Sequence, residues 1–472
     1  MNDPAYRRFK DYVIETTGLA YYLNQDEELA GRIAGRLAVL GLNQVGEYLD
    51  RLSDGRAAEA EWSALIAELT IGETFFFRHR EQFDALRDRV LPELIEHQQQ
   101  RRRLKIWSAG CATGAEPYSI AILLKTELAH LLAGWDVTIV GTDINREFLA
   151  RAQRAAFADW AFRSGSEEVK RACFSPEGKL WALKPEFKQG VSFQYHNLVQ
   201  HPFPSLLNNL SAFDLILCRN VMIYFQRDIV SRIIEQFHEC LAEGGWLLVG
   251  HAESCVQLFR PFRTLNVPGA VLYQKRQPAP VAAESPRTVG GRNEDGGSMN
   301  RVTPSARTAP TSSRGEKRGH NRRPFVSVPL KQPTTWPAAV AERLADIRTK
   351  ADRAQWEGAA RSCDELIALD ELNPTAHFYQ ALVLEQMGRH AETERALRRT
   401  IYLDRRFVLA HYHLGLLLQM RRDMAGAQRC FRNAIKLLNQ MDDQQVFNDA
   451  DGLTVGALKQ WTQTHLEVLC HS

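Results

Sequence analysis

A chain of 472 residues with a formal net charge of +3, 44% apolar residues and 24% charged ones is too long for one typical domain and has the apolar fraction of ordinary globular cores. No run of about 18 apolar residues occurs and residues 1–18 are charged throughout, so neither a membrane span nor a secretory signal is expected, and the protein reads as cytoplasmic. Residues 277–337 hold ten Arg/Lys against four Asp/Glu, a surplus of six that leaves −3 for the remainder and argues against a nucleic-acid footprint on the folded parts.

Residues 1–75 are expected to form a small helical domain, because apolar residues recur at helical spacing in "RIAGRLAVLGLNQVGEYLDRL" and again in "EWSALIAEL". Over 76–276 the pattern changes. Short apolar runs ("LKIWSA", "DVTIVGTD", "FDLILCRN", "GGWLLVGH", "AVLYQKR") alternate with helical stretches over 116–133, 146–156 and 227–242. Such alternation predicts an α/β Rossmann-like domain with a parallel sheet, whose ligands lie outside the carboxyl ends of the strands. Residues 277–337 are dense in Pro, Gly, Ser, Thr and Arg and too poor in apolar side chains to offset ordering entropy, so they read as a disordered linker. From 338 to 472 a period of 34 aligns Leu369, Leu403 and Leu437, Ile367, Ile401 and Ile435, and the small residues Ala359, Thr393 and Ala427. That period is the signature of tetratricopeptide (TPR) repeats, an all-α array that usually binds a protein segment in its groove. The first repeat, 340–373, is degenerate, and "GALKQWTQTHLEVL" reads as a capping helix. Eight scattered cysteines show neither a C-x-x-C pair nor zinc spacing, so reduced thiols and no metal are expected.

The chemistry should sit just after the strands. "WSAGCATGAEPYS" leads from a strand through Gly110 and Gly114 to Glu116 at a helix start, where a tight backbone can approach a ligand closely. Its spacing is neither the dinucleotide fingerprint nor the Walker loop. Asp143 ends the next strand, where a carboxylate can accept two hydrogen bonds from ribose hydroxyls. Asn197 precedes the following strand, and Arg219, Asn220 and Tyr224 follow "FDLILC". Acidic residues stand where a pyrophosphate would be repelled, and no loop lysine is present. A cationic, phosphate-free nucleoside fits that pattern, and S-adenosyl-L-methionine (AdoMet) is the evident candidate.

The segments "TIGETFFFRHREQF", "WSAGCATGAEPYSIAILL", "GTDINREFLARAQRAAF", "FDLILCRNVMIYFQR" and "LAEGGWLLVGHAES", in this order, resemble the CheR family, AdoMet-dependent enzymes that form glutamate methyl esters on bacterial chemoreceptors. The resemblance covers about residues 5–276. It implies a helical N-terminal domain and an AdoMet-methyltransferase fold whose seven-stranded mixed sheet has an antiparallel last strand. It implies cofactor contacts at Thr74, Arg78, Gly110, Glu116, Asp143, Asn197, Leu198, Arg219 and Asn220, with Arg78 and Tyr224 in the catalytic site. The product would be S-adenosyl-L-homocysteine and the protein substrate the cytoplasmic domain of a chemoreceptor. The N-terminal helical, methyltransferase and TPR arrangement is similar to TPR-bearing CheR proteins of alternative chemosensory pathways.

The chain departs from the family in two places. Gly72 stands where many relatives carry a cofactor-touching asparagine. Between Phe162 and Gln194 receptor-tethering relatives insert a small β-subdomain whose glycine-rich loop captures a receptor C-terminal pentapeptide, and that glycine pattern is missing, so a pentapeptide-independent member is expected. The tethered TPR array would then supply partner recognition for an unknown protein or peptide, or control access to the enzyme. Methylation of an amide or base is disfavoured, because "CRNVMIY" replaces the N-P-P-Y that such enzymes carry. A TPR adaptor whose methyltransferase domain only binds is the reading from another class. No heptad or exposed apolar strand is evident, so a monomer is expected.

Overall fold

The computed structural model describes residues 3–53, 55–164, 167–255, 257–276, 338–353, 355–443, 445–447 and 454–470. The linker expected over 277–337 lies outside them. The helical N-terminal part consists of α1 (Pro4–Thr17), α2 (Asp26–Leu40), α3 (Val45–Leu52) and α4 (Gly55–Leu69). Asp3 caps α1 by accepting from the Ala5 amide at 2.9 Å, which satisfies one of its orphan donors. The predicted apolar faces meet in one core holding Phe9, Val13, Leu29, Ile33, Tyr48 and Leu65. Within it Arg36 forms a fork with the buried Glu61 at 2.9 and 2.7 Å, and the Tyr48 hydroxyl donates to the same carboxylate at 2.7 Å.

Helices α5 (Arg80–Ala85) and α6 (Leu91–His97) lead into the α/β part. Its strands are β1 (Arg103–Ala109), β2 (Asp136–Asp143), β3 (Ala156–Phe157), β4 (Phe174–Glu177), β5 (Leu180–Leu183), β6 (Val191–Tyr195), β7 (Phe213–Cys218), β8 (Leu241–Val249), β9 (Phe262–Val267) and β10 (Ala270–Lys275). Between them run α7 (Ala115–Thr126), α8 (Arg146–Arg154), α9 (Glu167–Cys173), α10 (Pro185–Lys188) and α11 (Arg227–Cys240). Seven strands form one sheet in the order β6-β2-β1-β7-β8-β10-β9. The first five are parallel, and β10 runs antiparallel to both β8 and β9, so the last strand is antiparallel as the resemblance implies. β1 and β7 are buried almost end to end, which explains why they read as continuous apolar runs.

Helix α7 ends at Thr126 rather than at 133, because residues 127–135 turn back through Gly134 (φ 77°) to start β2 beside β1. Between residues 156 and 183, β3, β5 and β4 form a separate three-stranded antiparallel sheet. β4 and β5 are joined by Gly178 and Lys179 alone.

The repeats fold as three helix pairs, α12 (Ala338–Asp352) with α13 (Trp356–Leu369), α14 (Pro374–Gln386) with α15 (His390–Leu403), and α16 (Val408–Met420) with α17 (Met424–Leu438), followed by α18 (Val455–Cys470). Ala359, Thr393 and Ala427, the small residues in register, are fully buried. A Cβ at Gly415 would lie 2.5 Å from the Phe431 ring, so the third pair crosses at a spacing that glycine alone permits.

The array is docked on the α/β part, within one compact unit that holds both. Arg103, at the start of β1, donates to the Gln386 carbonyl at 2.7 Å and the Glu385 carbonyl at 3.2 Å, supplying a cation to the carboxyl end of α14. The buried Lys105 ammonium donates to Asn209 Oδ1 at 2.7 Å and the Ser211 carbonyl at 2.9 Å, and Gln386 Nε2 reaches the same Asn209 oxygen at 3.3 Å. Leu206 and Leu207, on the segment between β6 and β7, belong to the same buried cluster as Ile347, Tyr379, Leu382 and Leu417 of the array. The parallel register pairs Arg103 with Asp136 and Ala109 with Thr142. The repeats therefore hold the amino ends of the strands, roughly 20 Å along β1 from the carboxyl ends at ~3.3 Å per residue.

Candidate functional site

At the carboxyl ends of β1, β2 and β7 a cavity opens, roofed by the helical N-terminal part. All ten residues proposed from sequence line it: Thr74, Arg78, Gly110, Glu116, Asp143, Asn197, Leu198, Arg219, Asn220 and Tyr224. Thr17, Leu19, Tyr21 and Tyr22 of the first helical segments line it too, a contribution no sequence motif announced.

The loop after β1 explains its glycines. Gly110 has φ 73°, and a Cβ there would stand 2.3 Å from Val221, so the turn requires glycine. Gly114 has φ 89° and opens α7. Between them Ala112 is left-handed at φ 48°, a strained conformation in which its amide donates to Asp143 Oδ2 at 2.9 Å. Asn145 donates to the other oxygen at 2.8 Å. The cap of α8 is Asn145 itself, accepting from Glu147 and Phe148 at 2.9 and 3.1 Å, which leaves the remaining lone pairs of Asp143 to the cavity. Burial outweighs these hydrogen bonds and pushes the Asp143 carboxyl up to about 6.

Arg219 is the hub of the floor. Its Nη1 donates to Glu116 Oε2 at 2.9 Å and its Nε to Gln82 Oε1 at 2.7 Å, while Nη2 meets the Arg78 carbonyl and lies 3.1 Å from His79 Nδ1. Ser108 donates to the other Glu116 oxygen at 2.7 Å. The arginine thus neutralises Glu116 inside the protein. Burial, with Arg219 and His251 beside it, holds the His79 imidazole down at about 4, so the ring is neutral there. His251 turns its Nε2 to the Gly269 carbonyl at 2.7 Å and packs edge-on against His79.

Two positioning residues escaped the sequence reading. The buried Glu253, in "GHAES", accepts from the amides of Gly250 (2.6 Å), Asn220 (2.9 Å), Val221 (2.8 Å), Met222 (2.8 Å) and Ile223 (3.3 Å). It shapes the loop from Asn220 (φ 61°) to Tyr224 as a single anion shapes a nest of N–H groups. Gln82 joins Arg219 to the end of β8 by donating to the Val249 carbonyl at 2.8 Å. An acid just past a strand inside a family-like segment was the available signal for Glu253, whereas nothing marked Gln82. Glu253→Gln puts an NH2 where amides must be accepted; it is expected to destabilise the fold by about 1–3 kcal/mol and to weaken AdoMet about tenfold, as thermal melts and calorimetric titration would show. An unchanged affinity would mean that the loop keeps its shape without the carboxylate.

Arg78 is half-buried, donates to the Glu73 carbonyl at 2.8 Å and lies over the Phe75 ring at 5.5 Å. Burial raises the Tyr224 phenol, with the Arg78 charge acting in the opposite direction. Asn197 donates from Nδ2 to the Thr16 carbonyl at 2.8 Å, tying the N-terminal roof to the sheet. A Cβ at Gly72 would fall 2.5 Å from the Phe148 ring, which lines the cavity, so Phe148 occupies the space that an asparagine at 72 would need.

The donor set fits AdoMet. The lining holds Glu73, Glu116 and Asp143 against Arg78 and Arg219, with Glu73 also paired to Arg163 beside the cavity, so carboxylates and guanidiniums balance; the lining holds no lysine for a phosphate. His196, held down to about 3 by burial, adds no charge. The buried Asn220 Oδ1 has no hydrogen-bond partner among the described residues and is a ready acceptor. Among the described residues no cluster suits a metal ion, and no helix is long and apolar enough to cross a membrane.

Residues 4–70 match the all-alpha domain of CheR methyltransferases and residues 72–271 their SAM binding domain. Chemotaxis protein methyltransferase 1 of Pseudomonas aeruginosa is 31% identical over 274 residues, 57% of this chain and 96% of that protein. The probable biofilm formation methyltransferase WspC of the same organism is 28% identical over 408 residues, 86% of this chain and 92% of its own, a span that must reach into the helical repeats. Among solved structures, the Sgt2 TPR domain of Aspergillus fumigatus shares 14% identity, covers 30% of this chain and 85% of its own, and superposes with a TM-score of 0.24. Matched across both domains of its first 271 residues and aligned with nearly the whole of a 31% identical relative, the chain belongs to the CheR family of AdoMet-binding methyltransferases.

Proposed function

We propose that the protein is a cytoplasmic enzyme that methylates glutamate side chains of a chemoreceptor for sensory adaptation. The observation that carries this reading is the meeting, in one cavity, of a carboxylate and a carboxamide suited to a nucleoside (Asp143, Asn220) with a guanidinium and a phenol (Arg78, Tyr224). The cofactor supplies a methyl on a sulfonium; its transfer forms a carbon–oxygen bond, breaks the carbon–sulfur bond, cancels both charges and moves no proton. A general base is therefore unnecessary, and orientation is what the chain must contribute. The Arg78 fork holds one carboxylate oxygen and leaves the other to attack, with Tyr224 completing the orientation.

The two-residue β4–β5 turn supports recognition without a receptor pentapeptide, since it offers no glycine-rich loop for one. Docking through Arg103, Lys105 and Gln386 supports an interaction or regulatory role for the repeats within a monomer. Arg78→Ala is expected to lower kcat for base-labile methyl esters on receptor fragments by about 10²–10³-fold, the scale of a lost positioning contact, while changing the Kd of AdoMet less than about tenfold. Arg78→Lys keeps the charge without the fork and should recover only part of the rate. Wild-type enzyme that binds AdoMet but esterifies no receptor glutamate would overturn the substrate assignment.

A further inference from the structure

The repeats present two different faces. Helix α14 is buried on nearly all sides, with Phe378, Tyr379, Leu382 and Gln386 closed off by neighbouring helices and by the methyltransferase loop that carries Leu206 and Leu207. The enzyme's own chain has taken up that surface. Across the array a second groove runs between α15 and α17, with α16 at its base. Its floor is aliphatic, from Ile401, Leu414 and Leu437, and Tyr402, 73% exposed, stands along one wall.

Four cations border this groove, Arg398, Arg405, Arg429 and Lys436, and no carboxylate lines it. Arg398 is paired with Glu394 of its own helix at 2.8 Å. Arg405, Arg429 and Lys436 are exposed and make no ion pair among the described residues. Three free cations around an apolar trough with an exposed tyrosine are costly on a surface meant only for water, where large apolar side chains and like charges are ordinarily dispersed.

We infer that the groove between α15 and α17 docks an acidic protein segment that carries a large apolar side chain, its carboxylates meeting Arg405, Arg429 and Lys436 and its apolar residue entering against Ile401, Leu437 and Tyr402. Charge selects this occupant. The chain's own linker, with ten Arg/Lys against four Asp/Glu over 277–337, has the wrong sign. A single-stranded nucleic acid would call for successive stacking aromatics along the track, and this groove offers one exposed ring, Tyr402, over an aliphatic floor. The surface lies on the array and not in the cofactor cavity, so the inference stands apart from the methylation reading.

The test uses the full chain and a fluorescein-labelled peptide of about twelve residues in which Glu-Glu pairs alternate with Leu or Phe, followed by fluorescence anisotropy. Saturable binding in the micromolar range is expected, weakening as salt rises. The triple variant Arg405→Glu, Arg429→Glu, Lys436→Glu should bind at least about tenfold more weakly while titrating normally with AdoMet, which shows that it is folded. Tyr402→Ala should weaken this peptide and leave a Glu-Ser control peptide unchanged. The inference is overturned if the peptide fails to saturate, if the triple variant binds it equally, or if a Lys-for-Glu counterpart binds as well. It is also overturned if a single-stranded oligonucleotide binds more tightly than the peptide and loses that binding in the triple variant, because the groove would then serve a polyphosphate.

Discussion

Arg219→Met is expected to cost about 3–5 kcal/mol of stability, the scale for removing one partner of a buried ion pair, and to abolish measurable AdoMet binding. The arginine is 7% exposed, and its loss strands the Glu116 carboxylate and the Gln82 carbonyl together. It also releases the link from β8 through Gln82 to the Arg78 carbonyl, so the floor of the cavity and its mouth lose their common support. Denaturant titration reads the first effect and calorimetry the second. Adding Glu116→Gln removes the stranded charge and should recover part of the stability but not the binding, as a coupled pair requires. A single variant as stable as wild type would mean that Arg219 is not the hub.

We propose that the ionised Asp143 accepts from both ribose hydroxyls of AdoMet; its carboxyl stands at about 6 in the cofactor-free fold, and protonation turns one acceptor oxygen into a donor, so AdoMet affinity should fall below pH 6. At pH 5 about nine molecules in ten hold the proton, which lowers the apparent affinity about tenfold, and binding there takes up cofactor while releasing a proton to buffer. Asp143→Asn should flatten this profile, and Asp143→Ala should cost about 10²-fold in affinity at pH 7, the worth of two hydrogen bonds to a charged group. Stability moves the other way. A carboxyl raised in the folded state contributes stability in full below its unfolded value near 4 and loses it as pH rises from about 4 to 6, on the order of 3 kcal/mol for this shift. The cofactor-free fold should therefore be weaker at pH 7 than Asp143 alone would leave it at pH 4, and Asp143→Asn should remove that slope. A binding profile that is flat from pH 5 to 8 in the wild type would show that the ionised carboxylate is not what holds the ribose.

Much of the site could be read because its parts lie at chain positions with local signatures. Gly110 and Asn220 follow an apolar strand and Asp143 ends one, and a parallel sheet brings such positions to one edge wherever they fall in sequence. The 34-residue period of the repeats was legible for the same reason: each helix pair packs on its neighbour, so Ala359, Thr393 and Ala427 recur. Arg219 was placed at the carboxyl end by its position after "FDLILC", but its burden of four protein contacts was not, since its partners come from positions 78 to 116 and meet it only in the fold. Glu253 and Gln82 stayed hidden because a carboxylate serving five amides and an amide bridging to Val249 leave no periodic trace.

The sequence by itself determined the three kinds of domain, their order, the carboxyl-end cavity and the charge that suits a cationic nucleoside, because periodicity and residue type act over one strand or one helical turn. Tertiary structure alone decided that Phe148 fills the space beside Gly72, that the N-terminal helices roof the cavity, and that Leu206 and Leu207 are buried with the repeats and not beneath their own sheet. An apolar pair reads the same whichever core receives it, and which one does is settled by shape and by hydrogen bonds such as Arg103 to Gln386, nearly three hundred residues apart in the chain.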